Sequence, residues 1–151
     1  LLIDGENQRV LKFDVLGQPQ ISFGDYDDNE GMLMQPEKFI IVQDLIYITD
    51  SHLAKIVLYD IHGNYLRSVS NNQFKNLRGL AHHMNYLLVS DRDAKCLWIL
   101  SEEGKVLQKI GPLLSKGIIL KDPVDVAAYQ NFIYLLDRSS SQILVFKWLG
   151  F

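Results

Sequence analysis

Four aspartates recur at nearly constant spacing, and they are the first residues of this 151-residue chain that could do chemistry: Asp4, Asp50, Asp91 and Asp137. Carboxylates can ligate a metal ion or act as general acids and bases. Each of these four, however, closes an apolar run and precedes a short polar loop, where an Asp side chain typically accepts backbone N–H bonds. A residue that recurs once per repeat is also spread through the molecule instead of converging on one site. We therefore predict a structural role for all four.

The histidines are the other candidates for metal or acid–base chemistry. His82 and His83 are neighbours in a predicted strand, and one of them could face a central channel, where an imidazole can bind zinc or act as a base. Adjacent strand residues point to opposite faces, so the two cannot ligate one ion together. His52 and His62 fall in predicted loops with no ligand spacing to that pair. We therefore predict no cofactor, with a metal in the central channel as the lesser alternative.

The remaining composition narrows the class of protein. The sequence contains no phosphate-binding glycine loop, nucleophile elbow or paired-cysteine metal motif. Cys96 is the single cysteine, so no internal disulfide forms, and its place in a predicted strand indicates a buried small hydrophobe. The net charge of −3 and a pI near 5.7 argue against broad attraction to nucleic acid. No run approaches the roughly 18 apolar residues of a membrane helix. No targeting segment is visible, which leaves both a cytoplasmic and an unbridged extracytoplasmic location open.

A series of turn glycines has the same spacing as the aspartates. These are Gly17, Gly63, Gly104 and Gly150. Both series step by 46, 41 and 46 residues along the chain. A third series of polar turn residues steps by 41 and 46 residues, at Asp44, Asn85 and Asn131. Periods of this length indicate a repeat architecture.

Each period holds four short apolar runs with strand-like patterns, and no stretch carries a helical stripe over three turns. Four strands in about 44 residues match one blade of a β-propeller. We therefore predict an all-β fold, a β-propeller of four-stranded antiparallel blades that forms an incomplete ring within this chain. The single domain comprises a blade remnant at 1–24 and repeats at 36–70, 77–111 and 123–151. The predicted innermost strands are 37–43, 78–84 and 124–130. The predicted second strands are 45–50, 86–91 and 132–137, and the predicted third strands are 54–60, 95–101 and 141–147.

The repeat resembles that of the NHL-repeat family. Residues 4–17, Asp-Gly-Glu-Asn-Gln-Arg-Val-Leu-Lys-Phe-Asp-Val-Leu-Gly, are similar to the family's Asn-x-Arg-Ile/Val-x-x-Phe segment and its Asp/Glu-x-x-Gly turn. Residues 77–81, Leu-Arg-Gly-Leu-Ala, are similar to its Pro-Arg-Gly-Ile/Val-Ala opening, and Pro36 and Pro123 stand at the equivalent of Leu77. The resemblance covers nearly the whole chain. It implies a propeller that usually has six blades, of which three and part of a fourth would lie here.

Charged residues stand at the start of the predicted innermost strands, near one mouth of a central channel. Mixed charges at such a rim could contact a peptide or a small polar ligand. The alternative is a solvated rim with weak ion pairs. Together with one channel histidine, the candidate ligand- or partner-binding residues are Glu37, Lys38, Arg78, His82 and Asp125.

The predicted function is a non-catalytic NHL-type propeller segment that acts as a protein–protein interaction scaffold or sensor module. A rigid disc with loops on two faces suits recognition. The family resemblance also implies two alternatives, because fold alone does not decide function. One is a metal-dependent lyase or hydrolase that needs blades outside this chain. The other is RNA binding, as in the NHL propellers of some tripartite-motif ubiquitin ligases. The net negative charge of this chain argues against RNA binding.

The incomplete ring itself predicts a protein partner. Blade faces without a neighbour would expose contiguous apolar surface, which marks an interaction site. We therefore expect either the remaining propeller blades or further copies of the chain to cover those faces.

Overall fold

The computed structural model describes residues 1–25 and 30–150, so position 151, the end of the last predicted repeat, lies outside the described residues. In this part of the chain fourteen strands form four antiparallel sheets, numbered here in chain order. Sheet 1 contains β1 (Leu2–Asp4), β2 (Arg9–Phe13) and β3 (Pro19–Phe23). Sheet 2 contains β4 (Pro36–Val42), β5 (Leu45–Asp50), β6 (Lys55–Asp60) and β7 (Tyr65–Ser70). Sheet 3 contains β8 (Leu77–His83), β9 (Tyr86–Asp91), β10 (Cys96–Ser101) and β11 (Val106–Ile110). Sheet 4 contains β12 (Pro123–Tyr129), β13 (Phe132–Asp137) and β14 (Gln142–Lys147).

Within each sheet the strands follow chain order, and each pairs antiparallel with the next through a short connection. Sheets 2 and 3 are four-stranded. In the described residues, the first strand of sheet 1 corresponds to the second strand of sheet 2. The evidence is that β1 ends at the repeated Asp4, as β5 ends at Asp50. A 3₁₀ turn, Ser115–Gly117, lies between β11 and β12. The prediction of an all-β fold with antiparallel four-stranded sheets is confirmed.

Several predicted strand ends are off by one residue, and the backbone shows why. The residues that follow the innermost strands are left-handed, with φ of 50–55°: Gln43, Met84 and Gln130. So are the residues that precede the third strands, with φ of 49–53°: Ala54, Lys95 and Ser141. Positive φ is uncommon outside glycine, and no glycine marks these positions. The predicted strands therefore include one residue that the structure assigns to the adjoining turn.

The core lies between successive sheets, which pack face to face in chain order. Neighbouring residues of one strand contribute to different interfaces, since Ile46 belongs to the cluster shared with sheet 1 and Tyr47 to the cluster shared with sheet 3. Both are at most 2% exposed. A strand buried on both faces must be apolar throughout, which is why β5, β9 and β10 lack the alternation of a half-exposed sheet.

Turn glycines provide the close contacts between successive sheets. Gly104, in the β10–β11 turn, has a φ of 93°, and a Cβ there would collide with the side chain of Val69 on β7. Gly63, in the β6–β7 turn, meets Phe23 on β3 in the same way, where a Cβ would lie 2.8 Å from the ring. Each of these turns therefore rests on the outermost strand of the preceding sheet, and the absence of a side chain permits that approach.

Candidate functional site

The innermost strands of sheets 2, 3 and 4 lie side by side and form a hub, with β8 between β4 and β12. The approach of β8 to β12 is close, because a Cβ on Gly79 would lie 2.5 Å from the Cα of Asp125. On the other side, Thr49 Oγ1 donates a hydrogen bond of 2.7 Å to the backbone oxygen of Arg78. The hub therefore positions the charged residues at the starts of these strands within reach of one another.

Glu37 and Arg78 form an ion pair between sheets 2 and 3. The Arg78 guanidinium approaches Glu37 Oε1 to 2.5 Å, and Ser51 Oγ donates to the same oxygen at 2.6 Å. Arg78 Nε also donates to Asn76 Oδ1 at 2.8 Å. Both charged side chains are largely buried. A charged pair that is held by further hydrogen bonds is fixed in orientation, so this pair joins two sheets rigidly.

Lys38 and Asp125 form a second ion pair, which reaches from sheet 2 to sheet 4 past the strand between them. Lys38 Nζ lies 3.1 and 2.9 Å from the two oxygens of the Asp125 carboxylate. Both side chains are about half exposed, and exposed pairs of this kind contribute at most about 1 kcal/mol. Four of the five candidate residues are thus brought together at one end of the hub and paired with one another.

His82 lies apart from the other four candidates. It is four residues beyond Arg78 on β8, which places it about 13 Å along the strand, at the opposite end of the hub. Its Nε2 lies 2.6 Å from Oε1 of Glu102 in the β10–β11 turn. His83 points elsewhere, with its ring 5.4 Å from the Trp148 ring in an edge-on arrangement. Its Nε2 is buried and has no hydrogen-bond partner among the described residues.

The repeated aspartates accept backbone hydrogen bonds at the ends of their strands. Asp50 accepts four, at 2.6–3.0 Å, two from the loop that follows β5 and two from the segment that leads into β4. Asp91 accepts three backbone bonds, from Lys75, Asn76 and Ala94, and also a bond of 3.1 Å from Trp98 Nε1. Asp4, in sheet 1, accepts one backbone bond, from Asn7 at 3.3 Å, and a side-chain bond from Arg9 at 3.0 Å. These contacts occupy the carboxylates and favour the structural interpretation.

Asp137 shows the electrostatic effect of this arrangement. Burial by itself raises the pKa of its carboxyl, but the backbone N–H groups of Lys121, Asp122 and Ser140 and the Ser140 hydroxyl outweigh burial. The pKa of Asp137 is therefore held below its ordinary value. The carboxylate stays charged at neutral pH and ties the segment before β12 to the loop after β13.

A second charged cluster, which the sequence analysis missed, lies between sheets 3 and 4. We call it the Asp122 cluster: Arg138 Nε lies 2.8 Å from Asp122 Oδ2, and Arg92 Nε lies 3.3 Å from Asp122 Oδ1. One sequence feature could have indicated this cluster, because Arg92 and Arg138 each directly follow a repeated Asp. Their backbone N–H groups donate at 2.9 Å to the backbone oxygens of Asn76 and Asp122, which precede the innermost strands of their own sheets, β8 and β12.

One face of sheet 4 has no neighbouring sheet among the described residues. We call it the open face and define it by Tyr134, Leu136, Ile143 and Val145. Ile143 is 64% and Val145 57% exposed. Together with Asp125 and Ala127, three of these residues line a shallow depression of about 210 Å³.

The repeat spacing shows what the open face lacks. The counterparts of Tyr134, Ile143 and Val145 in sheet 2, 87 residues earlier in each case, are Tyr47, Ile56 and Leu58. All three counterparts are at most 2% exposed, because sheet 3 packs on them. The open face therefore has the composition of an interface between sheets without the second sheet.

Two further searches of the described residues gave negative results. Residues 1–25 and 30–150 contain no group of three or more His, Cys, Asp or Glu side chains arranged to hold a metal ion. Nor does any helix in that part of the chain have the length and apolar character needed to cross a membrane.

Comparison with known proteins identifies the fold. No family model matches the sequence, and no curated protein matches it. Solved β-propeller structures do match the fold. Streptogramin B lyase superposes with a TM-score of 0.71 at 11% identity, over 97% of this chain and 50% of the lyase. A catalytically inactive virginiamycin B lyase from Staphylococcus aureus, solved with quinupristin, gives 0.69 at 13% identity over 97% and 50%. The computationally designed protein Ika4 gives 0.68 at 12% identity, over 94% of this chain and 81% of the design.

At these identities the likeness establishes the fold alone. The four sheets are blades of a β-propeller, and the chain spans half the length of the two lyases. The prediction of a partial propeller is therefore confirmed at the level of fold.

Proposed function

We propose that this chain is a non-catalytic, NHL-type β-propeller segment that works through protein contacts, the first of which is a further blade on the open face of sheet 4. One observation carries the proposal: Ile143 and Val145 are more than half exposed, whereas their counterparts Ile56 and Leu58 are buried by the next sheet. Contiguous exposed apolar surface of this kind marks an interaction site.

The partner on the open face is another propeller blade. The face is apolar and part of a sheet, and in this molecule the same surface on sheet 2 packs against Leu87, Val89 and Trp98 of sheet 3. We therefore expect a four-stranded sheet that presents counterparts of those residues. In a preparation of this chain alone, a second copy would supply the covering surface.

The hub supports a scaffold more than a catalytic site. Its charged groups are paired between sheets, Glu37 with Arg78 and Lys38 with Asp125, and three of the four accept or donate further hydrogen bonds. Such pairing fixes the relative positions of the blades. At the mouth of the hub, the half-exposed Lys38 and Asp125 remain accessible to a peptide that exchanges partners with them.

The test is the association state of the chain. We expect sedimentation velocity of the wild type to show association that increases with concentration. Ile143→Glu places a charge on the open face and should weaken this association by roughly tenfold or more, since burying an unpaired charge costs well over the 1.4 kcal/mol that corresponds to tenfold. Val15→Glu is the matched control, because Val15 is fully exposed in the β2–β3 turn and lies outside the open face.

A wild-type chain that stays monomeric at every concentration would overturn the proposed contact. Equal weakening by Val15→Glu would show that added charge, and not the open face, controls association. Stoichiometric zinc retained through gel filtration would favour the lyase or hydrolase alternative over the scaffold.

A further inference from the structure

The β11–β12 loop, residues 111–122, exposes three aliphatic side chains and ends at Asp122, the centre of the Asp122 cluster. Leu113 is 67%, Ile118 41% and Ile119 54% exposed. The corresponding β7–β8 loop, residues 71–76, is half as long and turns its large apolar residue, Phe74, into the core. The longer loop therefore displays apolar surface that the fold itself does not need.

The loop is held in a defined shape. Leu113 and Ile119 form an antiparallel bridge. The Leu114 N–H donates to the Ile118 oxygen at 2.7 Å, and the Leu120 N–H donates to the Pro112 oxygen at 2.8 Å. The Leu120 side chain is fully buried in the core between sheets 3 and 4. A loop fixed in this way loses little conformational freedom when it binds a partner, which favours affinity.

Basic side chains lie at the base of the loop. The guanidinium groups of Arg92 and Arg138 share the buried Asp122 carboxylate, and Asp93, 3.8 Å from Arg92, is also engaged by Asn76. In the described part of the chain, Arg138 donates a side-chain hydrogen bond only through Nε, although a guanidinium carries five N–H donors. Two partly exposed guanidinium groups therefore retain donors for a second carboxylate.

We propose that Leu113, Ile118 and Ile119, together with Arg92 and Arg138, form a docking surface, here called the loop surface, for a protein segment in which carboxylates adjoin large apolar side chains. The apolar side chains of the segment pack on the three aliphatic residues, and its carboxylates take the free donors of the arginines in charge-assisted hydrogen bonds. This inference rests on the proposed interaction function, yet it involves no residue of the open face.

The composition of the loop surface favours a protein segment over RNA. Proteins that bind single-stranded RNA stack its bases on aromatic side chains in a basic groove. Here the exposed apolar residues are aliphatic, and the protein carries a net charge of −3. Aliphatic side chains beside arginine match an apolar, acidic peptide instead.

The test uses a displayed library of random peptides, selected on the immobilised chain. We expect the enriched peptides to combine Asp or Glu with Leu, Ile, Phe or Trp, and their binding to weaken as salt is raised. The Ile118→Ser/Ile119→Ser double variant and Arg138→Ser should each lower the affinity of an enriched peptide by roughly tenfold or more. The Ile118 and Ile119 side chains are exposed, so thermal unfolding of the double variant should stay close to that of the wild type. Arg138→Ser also removes an ion-pair partner of the buried Asp122 carboxylate and should lower the melting temperature, so its binding is measured well below that temperature.

The matched control is Val15→Ser/Leu16→Ser, which removes two aliphatic side chains in the β2–β3 turn that are more exposed than Ile118 and Ile119. It should leave peptide binding unchanged. A selection without enrichment, enriched basic peptides, or equal binding to the Ile118→Ser/Ile119→Ser variant would each overturn the proposal. Salt-sensitive binding of a uridine-rich RNA that Arg138→Ser abolishes would assign the surface to nucleic acid instead. Ile143→Glu should not affect peptide binding, so failure of the open-face contact and failure of the loop surface are distinguishable.

Discussion

Asp137 is the residue whose charge should most clearly link folding to pH. Its folded-state pKa is lowered because several hydrogen bonds to the carboxylate outweigh burial. A lowered pKa stabilises the fold above the pKa of the unfolded chain, about 4, and that contribution is lost as pH falls through the folded value. We expect the free energy of unfolding, measured by urea titration, to decrease from about pH 4 downwards.

Asp137→Asn should destabilise the protein at neutral pH by about 1.5–3 kcal/mol, because hydrogen bonds to a charged acceptor are lost. Its stability should also depend less on pH in the acidic range. Asp44→Asn, at an exposed turn position, is the control and should keep the wild-type pH profile. An unchanged profile in Asp137→Asn would contradict the assignment.

Cys96 should be unreactive in the folded protein. Burial raises the pKa of its thiol to about 12, and the nearby Asp91 carboxylate adds to the rise. Because the thiolate is the nucleophile, alkylation by iodoacetamide near pH 8 should be slower than in the unfolded chain by roughly a thousandfold. Comparing labelling rates in buffer and in denaturant checks this, and rapid labelling of the native chain would contradict it.

At the residue scale, the sequence located charged rim residues but could not pair them. Lys38 and Asp125 are 87 positions apart, and their contact depends on how tightly three sheets curve around the hub. His82 was predicted as a further binding candidate, and the structure places it at the opposite end of the hub, where its partner Glu102 comes from a turn of its own sheet. Such pairings follow from three-dimensional curvature, which strand patterns do not encode.

At the level of elements, the turn glycines should matter more for packing than for backbone conformation. Gly104 and Gly17 have similar φ values, 93° and 79°, but a Cβ would meet Val69 only at Gly104. Gly17→Ala should cost about 1–2 kcal/mol through the left-handed backbone. Gly104→Ala should cost a further 1–3 kcal/mol or so through overpacking, measured by chemical denaturation. Equal losses in the two variants would contradict this contact.

The strands themselves were largely predictable, because Asp and Gly markers in register bracket each apolar run. β5, β9 and β13 begin and end where the sequence predicts. The innermost strands end one residue early, because residues such as Met84 adopt a left-handed backbone without the glycine that would have revealed it. At these positions the geometry of the hairpin sets the left-handed backbone conformation, and the residue type does not reveal it.

For the whole molecule, the period of the markers was sufficient to predict stacked sheets, and the likeness to solved propellers agrees with it. The role of each surface was not predictable in the same way. Apolar residues on sheets 2 and 4 look alike in the sequence, and only the structure shows that Ile56 is covered while Ile143 is not.

The contacts of Gly63 with Phe23 and of Gly104 with Val69 each join a turn to the repeat that precedes it. Duplication of one full period during evolution would copy the turn and its receiving strand together, and each new junction would fit without further change. Duplication of a fractional period would place a side chain where a glycine must lie. The chain can therefore have grown most readily in whole units of 41 or 46 residues, each added unit using the junction geometry already present.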